Sequence, residues 1–215
     1  MDKLTRDEEE KLIVRSQQGD INAFNKLVLC HQQVVYNTVF RLLSDYDTAS
    51  DVTQEAFISA FRAIRTYHGG SPFRTWLLRI STNLACDHWR RLQRHPLESL
   101  ETVTNEEELN SPSLREVLVQ TGPESNPEAI LLTQEIQQLI QRGLQELSFD
   151  QRTVIVLRDI EGLSYEEIAQ ATQTTLGTVR SRLSRARTRL RLYLSQHKEL
   201  LPRDYRPNSK RADRN

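Results

Sequence analysis

LSYEEIAQATQTTLGTVRSRLSRARTRL, residues Leu163–Leu190, decides the fold. Ser164 followed three residues later by Glu167 has the pattern of a reciprocal helix cap, so a short helix is expected over Tyr165–Ala171. Thr172 to Thr174 read as a turn. From about Thr175 a long helix runs to Leu194, with Val179, Leu183, Ala186 and Leu190 recurring on one side. That spacing turns Thr178, Arg180, Ser181, Ser184 and Arg185 away from the core. A short helix, a turn and a long basic helix make a helix-turn-helix.

Upstream, helical patterns continue. Ser148 with Gln151 opens a helix containing Val154, Ile155 and Leu157 that Gly162 closes, and Ala129 to Leu147 reads as one amphipathic helix. Toward the N-terminus, Thr5 with Glu8 caps a first helix ended by Gly19. Asp20 then caps a long second helix carrying Phe24, Leu27, Val28, Val35, Val39 and Leu42. A third opens near Asp47 with Val52, Ala56, Phe57, Ala60 and Ile64. Ser71-Pro72 starts a fourth, which buries Trp76, Leu77, Ile80 and Leu84 before Pro96. With only 7 Gly, 7 Pro and 7% aromatics in 215 residues, no sheet is expected. The predicted class is all-α: a helical bundle over 1–95, an acidic linker over 96–128 punctuated by prolines, a second small domain over 129–196, and a polar, disordered tail over 197–215.

The formal net charge is zero, which by itself argues against a polyanion partner. The charge is segregated, however. Arg62, Arg65, Arg74, Arg79, Arg90, Arg91 and Arg94 lie in one stretch. Arg180, Arg182, Arg185, Arg187, Arg189 and Arg191 lie in another with no acid among them. Between them Glu98, Glu101, Glu106, Glu107, Glu108, Glu116, Glu124 and Glu128 face only Arg115. A solvated helix face normally alternates its signs, so the basic C-terminal helix is read as a DNA reader. Arginine bonds guanine bidentately, and Ser and Thr reach base edges or phosphates in a major groove.

The helix from Pro72 to Gln93 combines the Trp76 stripe with Arg79, Asn83, Arg90, Arg91 and Arg94, a second candidate nucleic-acid surface. Before it, Tyr67, His68 and two glycines form a loop of the type that holds an unstacked base, although an isolated Tyr67 or Trp76 is more often core. Asp47, Asp51 and Glu55 recur every four residues, a stripe that suits a basic partner and equally a solvated face. Spread over about 12 Å of helical rise, these carboxylates are too extended for one ion. Cys30 and Cys86 lack paired metal-ligand spacing and are read as buried structural residues. The charged N-terminus and the absence of a long apolar run predict a cytoplasmic protein without membrane insertion. No metal, cofactor or catalytic constellation is expected.

Four motifs carry a resemblance: Asp51-Val-Thr-Gln-Glu-Ala-Phe57; Phe73-Arg-Thr-Trp-Leu-Leu-Arg-Ile80 with Asn83; Leu163-Ser-Tyr-Glu-Glu-Ile-Ala169; and Gly177-Thr-Val-Arg-Ser-Arg182. Together they strongly resemble the extracytoplasmic-function (group 4) sigma factors of the bacterial sigma-70 family, sigma-E-like in type, from about residue 5 to 195. The resemblance implies that the first domain, sigma region 2, docks on the beta-prime clamp helices of core RNA polymerase through Asp47, Asp51, Gln54, Glu55 and Phe57. It also implies capture of a flipped base of the single-stranded −10 element by the loop Tyr67 to Phe73, with Arg74, Trp76, Arg79, Asn83, Arg90 and Arg91 contributing to −10 binding and melting. Region 4, over Leu147 to Leu194, would read duplex −35 DNA through Thr178, Arg180, Ser181, Arg182, Ser184 and Arg185, and contact the beta flap. The linker would run through the polymerase channels. An anti-sigma factor and a stress-response role are implied as well. Leu78 stands where the family often has an aromatic, which puts the aromatic content of the melting surface in question. A duplex-binding repressor or activator, and more distantly a recombinase or nuclease, are the rival readings.

Overall fold

A computed structural model describes residues 4–94, 127–197 and 199. The expected linker over residues 96–126 and most of the expected tail therefore lie outside the described residues. Every regular element among those described is helical: α1 (Arg6–Gln17), α2 (Ile21–Leu43), α3 (Tyr46–Ala63) followed by a 3₁₀ turn (Ile64–Thr66), and α4 (Phe73–Arg94). After the undescribed segment come α5 (Pro127–Gln145), α6 (Phe149–Ile155) with a π turn (Val156–Ile160), α7 (Tyr165–Thr172) and α8 (Leu176–Gln196). The all-α expectation is met.

The caps explain most boundaries. Thr5 and Glu8 form the full reciprocal box, as do Ser164 and Glu167. The Asp20 carboxylate accepts from Ala23 N at 3.0 Å and from Arg15 Nη2 at 2.6 Å. These bonds satisfy amides that have no partner within the helix. Two starts shift from the sequence reading. α3 is capped by Asp45, whose carboxylate accepts from Thr48 N. α4 starts at Phe73 because the Pro72 carbonyl already takes the first helical bond, from Trp76 N at 3.1 Å. The expected Ser148–Gln151 box is incomplete, since Gln151 Oε1 is buried without a hydrogen-bond partner.

Backbone packing groups the described residues into two units. One holds α1–α4 with Val156–Arg180; the other holds α5, α6 and α8 from Ser181 onward. In the first, α2 packs on α1, α3 and α4, and α3 also packs on α4. α2 contributes fully buried Val35, Val39 and Leu42 to this core, and α3 the small, fully buried Ala49, Ala56 and Ala60. The inner face of α4 is Phe73, Leu77, Leu78, Ser81, Thr82 and Ala85, whereas Trp76, Ile80 and Leu84 are only half-buried. The buried face is thus rotated by about one residue from the apolar stripe of the sequence. Ser81 permits this by donating its hydroxyl to the Leu78 carbonyl.

In the second unit Leu139, Leu144, Leu147, Phe149, Val154, Leu183 and Ala186 form the core. Arg152 Nε donates to the Leu144 carbonyl at 2.9 Å, closing the end of α5 where carbonyls lack helical partners. α8 lies directly against α5: a Cβ on Gly143 would stand 2.7 Å from Leu190 Cδ1.

Removing the Ser164 hydroxyl (Ser164→Ala) is expected to lower stability by about 1 kcal/mol, the ordinary worth of a serine cap, in urea unfolding. The Asp20 carboxyl is held below its usual range by the Ala23 amide first and by Arg15 second. Its contribution is therefore present at neutral pH and lost as pH falls through the lowered folded value. In Asp20→Asn, the stability difference between pH 7 and about pH 3 should shrink.

Candidate nucleic-acid interface

The outer face of α8 is set by burial of Val179, Leu183 and Ala186 on its inner side. Arg180, Ser181, Ser184 and Arg185 are exposed, while Thr178 and Arg182 are half-buried. Thr175 begins the helix: its hydroxyl accepts from Thr178 N at 3.2 Å and lies 2.9 Å from the Thr178 hydroxyl. Arg182 is bonded to the Asp150 carboxylate, so it is not one of an acid-free row as the local sequence suggested. Tyr165, which sequence reading passed over, sits beneath two guanidinium groups, Arg158 at 5.1 Å and Arg180 at 6.0 Å from its ring centre. Arg158 is anchored by donating to the Leu163 carbonyl at 2.7 Å. Stacking of this kind orients the Arg180 side chain at the start of α8.

The second candidate surface begins at the loop after the 3₁₀ turn. Tyr67 is half-buried, and its hydroxyl donates to the Ser71 carbonyl at 2.8 Å. Its ring meets Phe73 edge-on at 5.5 Å and Trp76 at 5.4 Å. Phe73 is 2% exposed and forms the floor of this cluster. His68, Gly69 and Gly70 are exposed, and Gly69 has φ 75°, a conformation that other residues adopt with strain. Burial, and then Glu9 and Glu10, push the Tyr67 phenol above its usual pKa, keeping it a neutral donor.

Along α4, Arg79, Arg90, Arg91 and Arg94 are exposed and Asn83 is half-buried. Arg90 pairs with Asp87 at 3.0 Å at the surface. Arg74 donates to the carbonyl of Glu161 at 2.9 Å and to its carboxylate, and Arg41 approaches the same carboxylate at 4.0 Å. Desolvation lowers the Arg41 pKa from its usual value. Leu78 is 0% exposed. It belongs to the core, so the identity of residue 78 does not subtract an aromatic from the exposed surface in this structure.

On α3, Asp47, Asp51, Gln54 and Glu55 are all exposed on one face, with Phe57 half-buried. Ile58 adds an apolar point there, 45% exposed. The cysteine expectation needs correction: Cys30 is exposed and Cys86 half-buried. No group of three potential metal ligands occurs among the described residues, and no described helix is long and apolar enough to cross a membrane.

The sequence matches the Sigma-70 region 2 family over residues 27–95 and Sigma-70, region 4 over residues 137–190. It is 40% identical over 185 residues to the RNA polymerase sigma-H factor of Pseudomonas aeruginosa, covering 86% of this chain and 92% of that protein. This chain belongs to the extracytoplasmic-function sigma factors of the sigma-70 family. The ECF RNA polymerase sigma-E factor of Escherichia coli K12 is likewise 40% identical, over 83% of this chain and 90% of its own length. A solved structure of the sigma factor RpoE with the anti-sigma factor NepR from Bartonella quintana superposes with TM-score 0.58 at 26% identity, covering 80% of this chain and 96% of that one. The two matched regions fall on α2–α4 and on the stretch from α5 into α8, the elements that carry the two basic surfaces. As a sigma factor, the protein acts in promoter recognition and transcription initiation.

Replacing Tyr67 by Phe keeps the ring cluster and removes the bond to Ser71. The expected cost is about 1 kcal/mol in urea unfolding, the net worth of one such hydrogen bond.

Proposed function

We propose that this sigma factor binds core RNA polymerase and directs it to promoters by two separate contacts. Thr178, Arg180, Ser181, Arg182, Ser184 and Arg185 read duplex −35 DNA. The loop from Tyr67, resting on buried Phe73 and flanked by Arg74, Trp76, Arg79, Asn83, Arg90 and Arg91, takes the single-stranded −10 element. On this reading the division of labour follows the sequence blocks 1–95 and 129–196, joined by the acidic segment. Trapping an unpaired base offsets the few kcal/mol that unstacking costs. The acidic face of α3, with Asp47, Asp51, Gln54, Glu55, Phe57 and the exposed Ile58, docks on the beta-prime clamp helices, and the C-terminal domain contacts the beta flap.

The protein performs no catalysis itself and works in the cytoplasm on stress-response promoters, under an anti-sigma factor of the kind found with the Bartonella quintana protein. The observation that carries this reading is the exposure of Arg180, Ser181, Ser184 and Arg185 on one helix face of a chain in this family.

Run-off transcription with purified core polymerase on a promoter library tests it. Transcripts that start only when the protein is added are expected, with weak DNA binding by the protein alone. Tight operator binding by the isolated chain and no new transcripts would instead indicate a conventional repressor or activator. Arg185→Ala should weaken −35 duplex binding tenfold or more, as a lost base-edge or phosphate contact does. Tyr67→Ala and Asn83→Ala should instead reduce permanganate reactivity of the open promoter.

A further inference from the structure

α1 lies outside the matched region 2, which begins at residue 27, yet it is bonded to the first residue of the Tyr67–Phe73 loop and to the 3₁₀ turn that leads into it. We propose that Gln17, the last residue of α1, is a positioning residue for that loop. Its side-chain amide donates to the Tyr67 carbonyl at 2.7 Å and to the Ile64 carbonyl at 3.2 Å, 50 and 47 residues away in sequence. One NH₂ group carries two donors, and both are used here, one on the Tyr67 carbonyl and one on the Ile64 carbonyl as its second hydrogen bond.

The consequence is geometric. Ile64 O also accepts from Tyr67 N at 3.1 Å, closing the 3₁₀ turn. Beyond it Tyr67 turns extended, with φ −80° and ψ 115°. The orientation of the Tyr67 carbonyl is set by ψ, and Gln17 fixes that orientation. At its other end the Tyr67 phenol is held by Ser71 O. The residue at the mouth of the loop is therefore pinned through both its backbone and its hydroxyl, and the ring keeps one attitude toward Trp76.

The helix end that carries Gln17 is itself tied down. Ser16, buried beside it, donates to the Leu12 carbonyl, and Arg15 pairs with Asp20 across the turn into α2. A second link from α1 supports the floor: Glu9 bonds the His31 ring at 2.8 Å, and that ring packs on Phe73 at 5.4 Å. A site held in advance gives up less freedom when the strand binds, which is where the affinity gain arises.

The inference rests on the reading that this loop takes an unpaired −10 base. Its test uses holoenzyme reconstituted with core polymerase and a −10 non-template oligonucleotide carrying 2-aminopurine at the position that unstacks. Gln17→Met keeps length and packing but removes both donors, whereas Gln17→Lys keeps donors within reach. Gln17→Met is expected to raise the Kd for the oligonucleotide about tenfold and to lower the fluorescence change at saturation. Gln17→Lys should restore most of both. Core assembly and −35 duplex affinity should stay near wild type in either variant, and the Tm of Gln17→Met should fall only modestly, as that of Tyr67→Phe does, because hydrogen bonds at the loop are lost in both. Wild-type strand binding by Gln17→Met, while Tyr67→Ala loses it, would overturn the positioning role and leave the loop reading intact. Unchanged binding by Tyr67→Ala would remove the loop reading and this inference with it. Parallel losses of strand binding, −35 binding and Tm in Gln17→Met, or no restoration by Lys, would mark a structural role and overturn the proposal.

Discussion

The inner face of α4 is the constraint on which the first surface depends. Phe73, Leu77, Leu78 and Ala85 are removed from water, and each large side chain so buried is worth about 1.5–3 kcal/mol. A cap or a surface ion pair contributes less, near 1 kcal/mol or below. Apolar burial therefore sets the rotation of α4 about its axis, and the rotation decides which side chains face outward. Arg79, Arg90 and Arg91 are exposed because Leu77, Leu78 and Ala85 are inside. The same logic governs α8, where buried Val179, Leu183 and Ala186 leave Arg180, Ser181, Ser184 and Arg185 outside.

Charge segregation works alongside this arrangement. A chain of zero net charge offers no long-range attraction as a whole, so DNA affinity has to come from local fields. The Arg90–Asp87 pair is more than half exposed on both sides, and such a pair contributes almost nothing to stability. On the proposed reading its arginine exchanges this carboxylate for a phosphate at little cost. Glu161 differs, because its side chain is 5% exposed and meets both Arg74 and Arg41. A carboxylate so buried is tolerable only with its cationic partners in place, so Arg74 is bound more firmly than the surface arginines of the same helix.

Much of this was legible in the sequence, and the reasons are local. Reciprocal caps at Thr5–Glu8 and Ser164–Glu167 are short-range devices, readable from two residues, and both are formed. The stripe of α2 likewise places Phe24, Leu27, Val35, Val39 and Leu42 in the core. The exact face of α4 was not legible, because Ser81 and Thr82 look polar yet are buried, one of them satisfying its hydroxyl on its own helix. Asp47, Asp51 and Glu55 of the acidic stripe and Arg180, Ser181, Ser184 and Arg185 of the α8 face are exposed as their spacing required, whereas Thr178 is half-buried. Gln17 and Glu161 escaped notice because their partners lie about 50 and 87 residues away, and nothing in a single sequence marks such pairs. The π turn after α6 was read as plain helix, since its sequence, Val156–Ile160, keeps helical periodicity.

A loop held by Gln17 and Ser71 and an exposed face on α8 suit a protein that does not work alone. On the proposed reading each DNA contact is small, so neither needs to be strong once core polymerase holds both at the promoter. Joining two weak contacts on one frame raises the effective concentration of the second. That gain is realised only if the second contact is already shaped when the first is made, because ordering it afterwards would consume the advantage. A floor of buried Phe73, a phenol tied to Ser71 and a backbone tied to Gln17 give the loop that prior shape. On the same reading, exposed Gly69 and Gly70 leave its tip free to accommodate the strand.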